Sequence, residues 1–139
     1  MKTIIRNVFA LVGGLVFGSA VNMGLIMAGS ALVPPPAGVD TSNMDALAAA
    51  LPLFQPEHFV FPFLAHAIGT LAGAALAVNI AASHKFVFAM VVSVAFLAGG
   101  VTNVIMLPSP LWFSILDLVV AYLPMGLLAY KLFAPKAPD

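Results

Sequence analysis

The sequence predicts an all-α membrane protein, a bundle of four transmembrane helices with a short interfacial helix in the first outer loop. Of its 139 residues, 63% are hydrophobic and only 7% are charged. A soluble domain of this composition would expose a large apolar surface to water. Charged or proline-rich breaks divide the chain into four apolar segments, each long enough to cross a bilayer. We therefore expect one membrane domain over residues 1–139.

The first predicted span covers residues 4–33, and its start imitates a secretory signal peptide. Lys2 and Arg6 precede an apolar stretch, and Gly18, Ser19 and Ala20 resemble a cleavage site. The apolar run continues to Val33, however, about twice the length of a usual signal core. We expect a retained span that tilts, because it is longer than the bilayer is thick.

The other predicted spans cover residues 59–82, 86–107 and 111–133. All lysines and arginines flank the four spans on the same side: Lys2, Arg6, Lys85, Lys131 and Lys136. The loop 34–58 has acidic residues and no basic one. The positive-inside rule therefore predicts that both termini are cytoplasmic (N-in/C-in) and that this loop is outside. The pattern suits the inner membrane of a bacterium.

The outer loop contains the signal for a short helix. Prolines at 34–36 cannot continue the first span. Ser42 and Asp45 follow with the spacing of a capping box. Apolar side chains then share one face of a helix that would lie on the membrane surface and stop at Pro52 and Pro56. An ordered loop without a helix is the alternative.

Rows of small residues predict how the spans pack, because helices in lipid associate through close backbone approach and polar contacts. Gly14 and Gly18 form such a row in the first span, and Gly69 and Gly73 in the second. In the third span the row includes Gly99. We expect these five glycines at helix contacts.

Four polar residues accompany these rows and are predicted to point into the bundle as one intramembrane cluster: Asn22, His66, Asn103 and Asp117. At about 1.5 Å per residue, His66 lies about 10 Å and Asp117 about 9 Å below the outer ends of their helices. Both therefore lie at one level. A lone ionised Asp at that depth would cost at least ~2.5 kcal/mol, so it is expected to pair with His66 or to take a proton.

The role of a pair formed by Asp117 and His66 has two interpretations. It is either a structural hydrogen bond that fixes helix register, or a proton or cation relay that opens to the outer face. A metal site would need more ligands, and the nearest candidates, Glu57 and His58, lack helical ligand spacing with His66. Pro62 and Pro124 each free a carbonyl four residues earlier, which either bends the helix or lines an ion route.

Several functional classes are disfavoured by composition. There is no cysteine for disulfide, thiolate or thiol redox chemistry, and five basic residues balance five acidic ones, so nucleic acid is not an expected partner. No catalytic residues, metal or cofactor are predicted. The expected partners are the lipid bilayer and either a second copy or other membrane subunits.

Two segments carry a resemblance to a known group of proteins. "PPPAGVD" after the first span and "MLPSPLWF" across the second outer turn resemble small bacterial four-span inner-membrane proteins of no established activity. The resemblance implies the same topology and transfers no functional residues.

The expected function is a structural or interaction component, as a homo-oligomer or accessory subunit of a membrane complex. The alternative is a small proton- or cation-coupled transporter or channel component that uses Asp117 and His66. A membrane enzyme acting on lipid or quinone ranks last.

Overall fold

The computed structural model describes residues 2–135, and within that range it is helical without strands. Four helical segments are long and apolar enough to cross a membrane, so the predicted all-α fold with four candidate spans is confirmed. The helices are α1 (Lys2–Leu32), α2 (Met44–Ala50), α3 (Val60–Ile80), α4 (Lys85–Met106), α5 (Leu111–Val120) and α6 (Leu123–Phe133). Two short 3₁₀ turns, Leu51–Leu53 and Pro56–Phe59, lead from α2 into α3. We call the end of the bundle that carries residues 34–58 the loop end.

The fourth span is two helices, α5 and α6, and not the continuous helix that hydropathy predicts. The interruption lies at Ala121 and Tyr122, and Tyr122 has the non-helical angles φ −122° and ψ −82°. Pro124 explains it, since proline has no amide hydrogen for the carbonyl of Val120 and its ring crowds that carbonyl. Gly126 then donates to the Tyr122 carbonyl at 3.0 Å and begins the new helix. The break redirects the side chains that follow Val120.

Helix α3 is the centre of the bundle and contacts α1, α4, α5 and α6. It lies antiparallel to α1, and the two backbones touch. A Cβ atom added to Gly14 would lie 2.7 Å from the carbonyl oxygen of Gly73, and one added to Gly18 would lie 2.7 Å from that of Gly69. These four glycines therefore form the close contact between α1 and α3, where any side chain would force the helices apart.

Gly99 is the exception among the predicted packing glycines, because none of the other described helices of the bundle packs against it. A Cβ at Gly99 would meet nothing within 4 Å, whereas one at Gly100 would overlap the ring and hydroxyl of Tyr122. The row of Ala95, Gly99 and Asn103 lies on the exposed side of α4. The spacing marks a small-residue face correctly, but it does not say which neighbour, if any, covers that face.

The loop 34–58 folds back over the loop end and contains the short helix α2. Asn43 caps α2, and its side-chain oxygen accepts a hydrogen bond from the Ala46 amide at 2.9 Å. The capping box expected at Ser42 is not formed, because the Ser42 amide donates to Asp40 at 2.8 Å in the preceding turn. This bond also lowers the pKa of the Asp40 carboxyl.

Two basic side chains hold the opposite end of α3. Arg6 from α1 donates through Nε to the carbonyl of Ile80, and Lys85 at the start of α4 donates to the carbonyl of Val78. The last carbonyls of a helix have no intrahelical partner and carry partial negative charge, so cations stabilise them. Helices α1, α3 and α4 are thereby tied together at this end.

Candidate functional site at a buried aspartate

Asp117 is the most buried acidic residue of the described chain and has hydrogen bonds on both carboxylate oxygens. It lies on α5, on the same face as the buried Phe113 and Ser114, and is 2% exposed. Its Oδ1 lies 2.8 Å from Nδ1 of His66 on α3. Its Oδ2 accepts a hydrogen bond from the Tyr122 hydroxyl at 2.8 Å. We call these three residues the His–Asp–Tyr unit.

Tyr122 reaches Asp117 because the fourth span is broken between them. In a continuous helix five residues turn by about 140° beyond a full revolution, so the two side chains would point in different directions. The break before Pro124 brings the hydroxyl back toward the carboxylate. The Tyr122 ring is 1% exposed and lies against Gly100 of α4, which has no side chain to displace it. The ring centroid lies 5.8 Å from that of His66.

The two nitrogens of His66 have different surroundings, since Nδ1 contacts Asp117 and Nε2 does not. With Asp117 ionised, its carboxylate accepts hydrogen bonds from Nδ1 of His66 and from Tyr122, which leaves Nε2 with a free lone pair. A proton added at Nε2 gives an imidazolium that is already paired with the carboxylate. The unit can therefore hold or release one proton at Nε2 while its heavy atoms stay in place.

His66 lies on the wall of a cavity at the loop end. The cavity measures about 310 Å³, and its lining includes Asp117, His66 and, from the loop, His58. Its walls are mainly apolar and come from the end of α1, the loop, α3, α4 and α5: Ile26, Val33, Leu51, Phe54, Phe59, Phe61, Val104, Leu107 and Phe113. We call it the loop-end cavity.

A second opening reaches the same imidazole from the side of the bundle. Helix α1 packs mainly on α3 and touches α4 only slightly, which leaves a groove of about 420 Å³ between α1 and α4. We call it the lateral groove. Its polar lining residues are Ser19, Asn22, His66, Thr102, Asn103 and Tyr122. It shares His66, Gly100 and Asn103 with the loop-end cavity, so the two spaces adjoin at His66.

The structure brings together two of the four residues of the predicted polar cluster. His66 and Asp117 are in contact, at 2.8 Å. Asn22 and Asn103 make no hydrogen bond to either of them within the described range, and they line the lateral groove from opposite sides. Asn22 is half-buried and Asn103 is exposed. Asn103 therefore borders both spaces from the exposed side of α4 but is not part of the His–Asp–Tyr unit.

The predicted polar cluster did not include Tyr122, and Gly100 was not among the predicted packing glycines. Tyr122 has the one hydroxyl between Asp117 and Pro124, but the sequence does not say whether it faces inward, because Pro124 permits a break without fixing how far the chain turns there. Glu57 and His58 were considered beside His66 as metal ligands. Glu57 lines neither space, and His58 lines the loop-end cavity while its Nδ1 accepts a hydrogen bond from the Gln55 amide at 3.0 Å. Among residues 2–135, no three carboxylate or imidazole groups are placed to hold a metal ion.

The comparisons with known proteins give no match to this chain among family models, curated proteins or solved structures. The geometry of the His–Asp–Tyr unit and its two openings is therefore the basis for a functional assignment.

Proposed function

We propose that this chain is a small proton-coupled transporter or channel component of a bacterial inner membrane, with both termini in the cytoplasm. The lysines and arginines flanking the spans support that orientation, which places the loop end outside. Helix α2 then lies at the outer interface, with Leu47 and Leu51 packed toward the bundle. Ionisable groups inside a membrane are expensive to keep and mark ion or proton routes in many membrane proteins.

One observation carries the proposal. Asp117 has both oxygens bonded, to His66 and Tyr122, while His66 also borders a cavity at the loop end. A purely structural hydrogen bond needs no access from outside. The contact with an open cavity supports a group that exchanges protons with that side.

Nitrogen-15 NMR of histidine-labelled protein in lipid nanodiscs tests the proton site directly. The chain has only three histidines, so His66 can be assigned by its loss in His66→Gln. We expect Nδ1 to stay protonated throughout the titration and Nε2 to gain its proton as the pH falls. Asp117→Asn should change this tautomer preference, because an amide is a weaker acceptor. A His66 that never titrates, or one unaffected by Asp117→Asn, contradicts the proposal.

Proton movement across liposomes tests the route. Wild-type protein should dissipate an imposed pH gradient, and Asp117→Asn should abolish that activity. Tyr122→Phe keeps the carboxylate and removes one of its two hydrogen bonds, so it should retain activity with an altered pH profile. Glu57→Gln is the matched control, because it removes an exposed carboxylate that lines neither space. Equal flux in wild type and Asp117→Asn would refute the route.

A structural role, as a homo-oligomer or accessory subunit, is the second candidate. It is favoured by the exposed row of Ala95, Gly99 and Asn103 on α4, since small-residue rows with a polar group are typical of contacts between membrane helices. Gly99→Leu should lower the mass of the particle in mild detergent, measured by light scattering. Gly24→Leu is the control, because Gly24 is also open on all sides. No change of mass with Gly99→Leu counts against self-association through this face.

A further inference from the structure

The loop-end cavity is far larger than a proton site requires. Its volume of about 310 Å³ lies in the range of pockets that hold small organic molecules, and its lining combines apolar walls with a few polar groups, as such pockets do. Among the described lining residues the ionisable side chains are those of His58, His66 and Asp117, and the last two are bonded to each other. A ligand would have its polar part beside His66 and Asp117 and its apolar part against the walls.

The charge of the cavity lining determines whether a cation or an anion would bind. Four titratable groups face the two spaces: His58 from the loop, His66 from α3, and Asp117 and Tyr122 from the fourth span. None of the described lining residues contributed by α1 or α4 is titratable, and no Lys or Arg is among the lining residues. With Asp117 ionised and His66 neutral, the pair carries one negative charge. A cation is therefore attracted and an anion is repelled.

Aromatic rings stand beside that charge. Phe113 precedes Asp117 by one helical turn and lines the same cavity, and its ring centroid lies 4.8 Å from that of Phe59. The faces of aromatic rings attract cations, most strongly where water is excluded. The Asp117 carboxylate and the neighbouring aromatic rings suit an organic ammonium ion. A hydrated metal ion would require more oxygen ligands.

We propose that the loop-end cavity binds a lipophilic organic cation, an amine or quaternary ammonium with apolar substituents, in exchange for the proton on His66. This inference rests on the proposed function and names its substrate class. When the cation enters, Nε2 of His66 releases its proton to water, so that the charge of the site is balanced before and after. The lateral groove gives such an amphiphile a route from the bilayer to His66.

The test uses tetraphenylphosphonium as the probe and wild-type protein in lipid nanodiscs, with binding to empty nanodiscs subtracted. We expect saturable binding that weakens as the pH falls, together with release of up to one proton per bound cation. Tetraphenylborate has the same shape and the opposite charge, and it should not bind saturably. Equal binding of both ions would overturn the inference, because the site would then select for apolar character alone.

Substitutions identify the residues that bind tetraphenylphosphonium. Asp117→Asn should weaken tetraphenylphosphonium binding at least about tenfold, and Phe113→Leu by about three- to tenfold. Glu57→Gln and Phe9→Leu are the matched controls, since Glu57 lines neither space and Phe9 is exposed on α1. Circular dichroism and a monodisperse elution profile establish that each variant is folded. If Asp117→Asn fails to fold, loss of binding in Phe113→Leu without loss in Phe9→Leu supports the inference, and equal binding in both overturns it.

Failure of this inference and failure of the proposed function have different signatures. If wild-type protein does not bind tetraphenylphosphonium while His66 still titrates at Nε2, the ligand assignment is overturned and the proton site stands. If His66 does not titrate, both are overturned. Binding that does not change with pH also overturns the inference, because the exchange for a proton is its central claim.

Discussion

Replacing Gly14 by alanine should destabilise the protein through the contact between α1 and α3. The added Cβ would lie 2.7 Å from the Gly73 carbonyl oxygen, where ordinary contacts begin at 3.4 Å, so the helices must separate by roughly 0.7 Å. Two other neighbours prevent a sideways escape, since Ala77 Cβ and Val92 Cγ2 would be 3.1 and 3.3 Å away. Overpacking of this kind lowers the free energy of unfolding by about 1–3 kcal/mol.

The assay is equilibrium unfolding in bicelles by titration with sodium dodecyl sulfate, followed by the fluorescence of the single tryptophan, Trp112. Gly24→Ala on the same helix is the control, because its Cβ would meet nothing within 4 Å, and it should change the free energy by less than about 0.5 kcal/mol. Gly14→Ala and Gly73→Ala should be less than additive when combined, because both open the same contact. Equal effects of Gly14→Ala and Gly24→Ala would refute the reasoning.

Two further predictions compare neighbouring residues. Gly100→Ala should displace Tyr122 and lower the free energy of unfolding by about 1–3 kcal/mol, measured by the same unfolding titration. Gly99→Ala should change the free energy of unfolding by less than about 0.5 kcal/mol. A larger effect of Gly99→Ala than of Gly100→Ala would contradict the packing of Gly100 against Tyr122. Asn43→Ala should remove the cap of α2 and destabilise that helix by about 1 kcal/mol, seen as faster amide hydrogen exchange over residues 44–50, whereas Ser42→Ala should leave exchange unchanged. Matching exchange rates in the two variants would argue against Asn43 as the cap.

The spans could be predicted from the sequence because lipid imposes a simple rule. A backbone in hydrocarbon must bond within its own helix, so length and hydropathy locate each crossing. The rise per residue then placed His66 and Asp117 at one level, and the structure has them in contact. Both inferences use properties of a single helix and its depth, and neither requires knowing how the helices are arranged around one another.

What could not be predicted depends on that arrangement. The contact between Tyr122 and Asp117 could not be predicted, because a regular helix turns Tyr122 away from Asp117. Only the folded structure shows how far the break before Pro124 rotates the chain. Gly99 and Gly100 are adjacent and chemically identical, and only the position of the Tyr122 ring makes one packed and the other open. Similarly, both Ser42 and Asn43 are good caps, and the turn made with Asp40 decides between them.

The division of the fourth span has a consequence for how the chain is synthesised. Helices α5 and α6 have 10 and 11 residues, and each alone is about 15 Å long, half of a hydrocarbon core. Neither half can cross unaided, so the two must enter the bilayer together, with a carboxylate near their junction. Since the ribosome delivers α3 first, the imidazole of His66 is already within the membrane when Asp117 arrives. The fourth span thus meets its polar partner on entry.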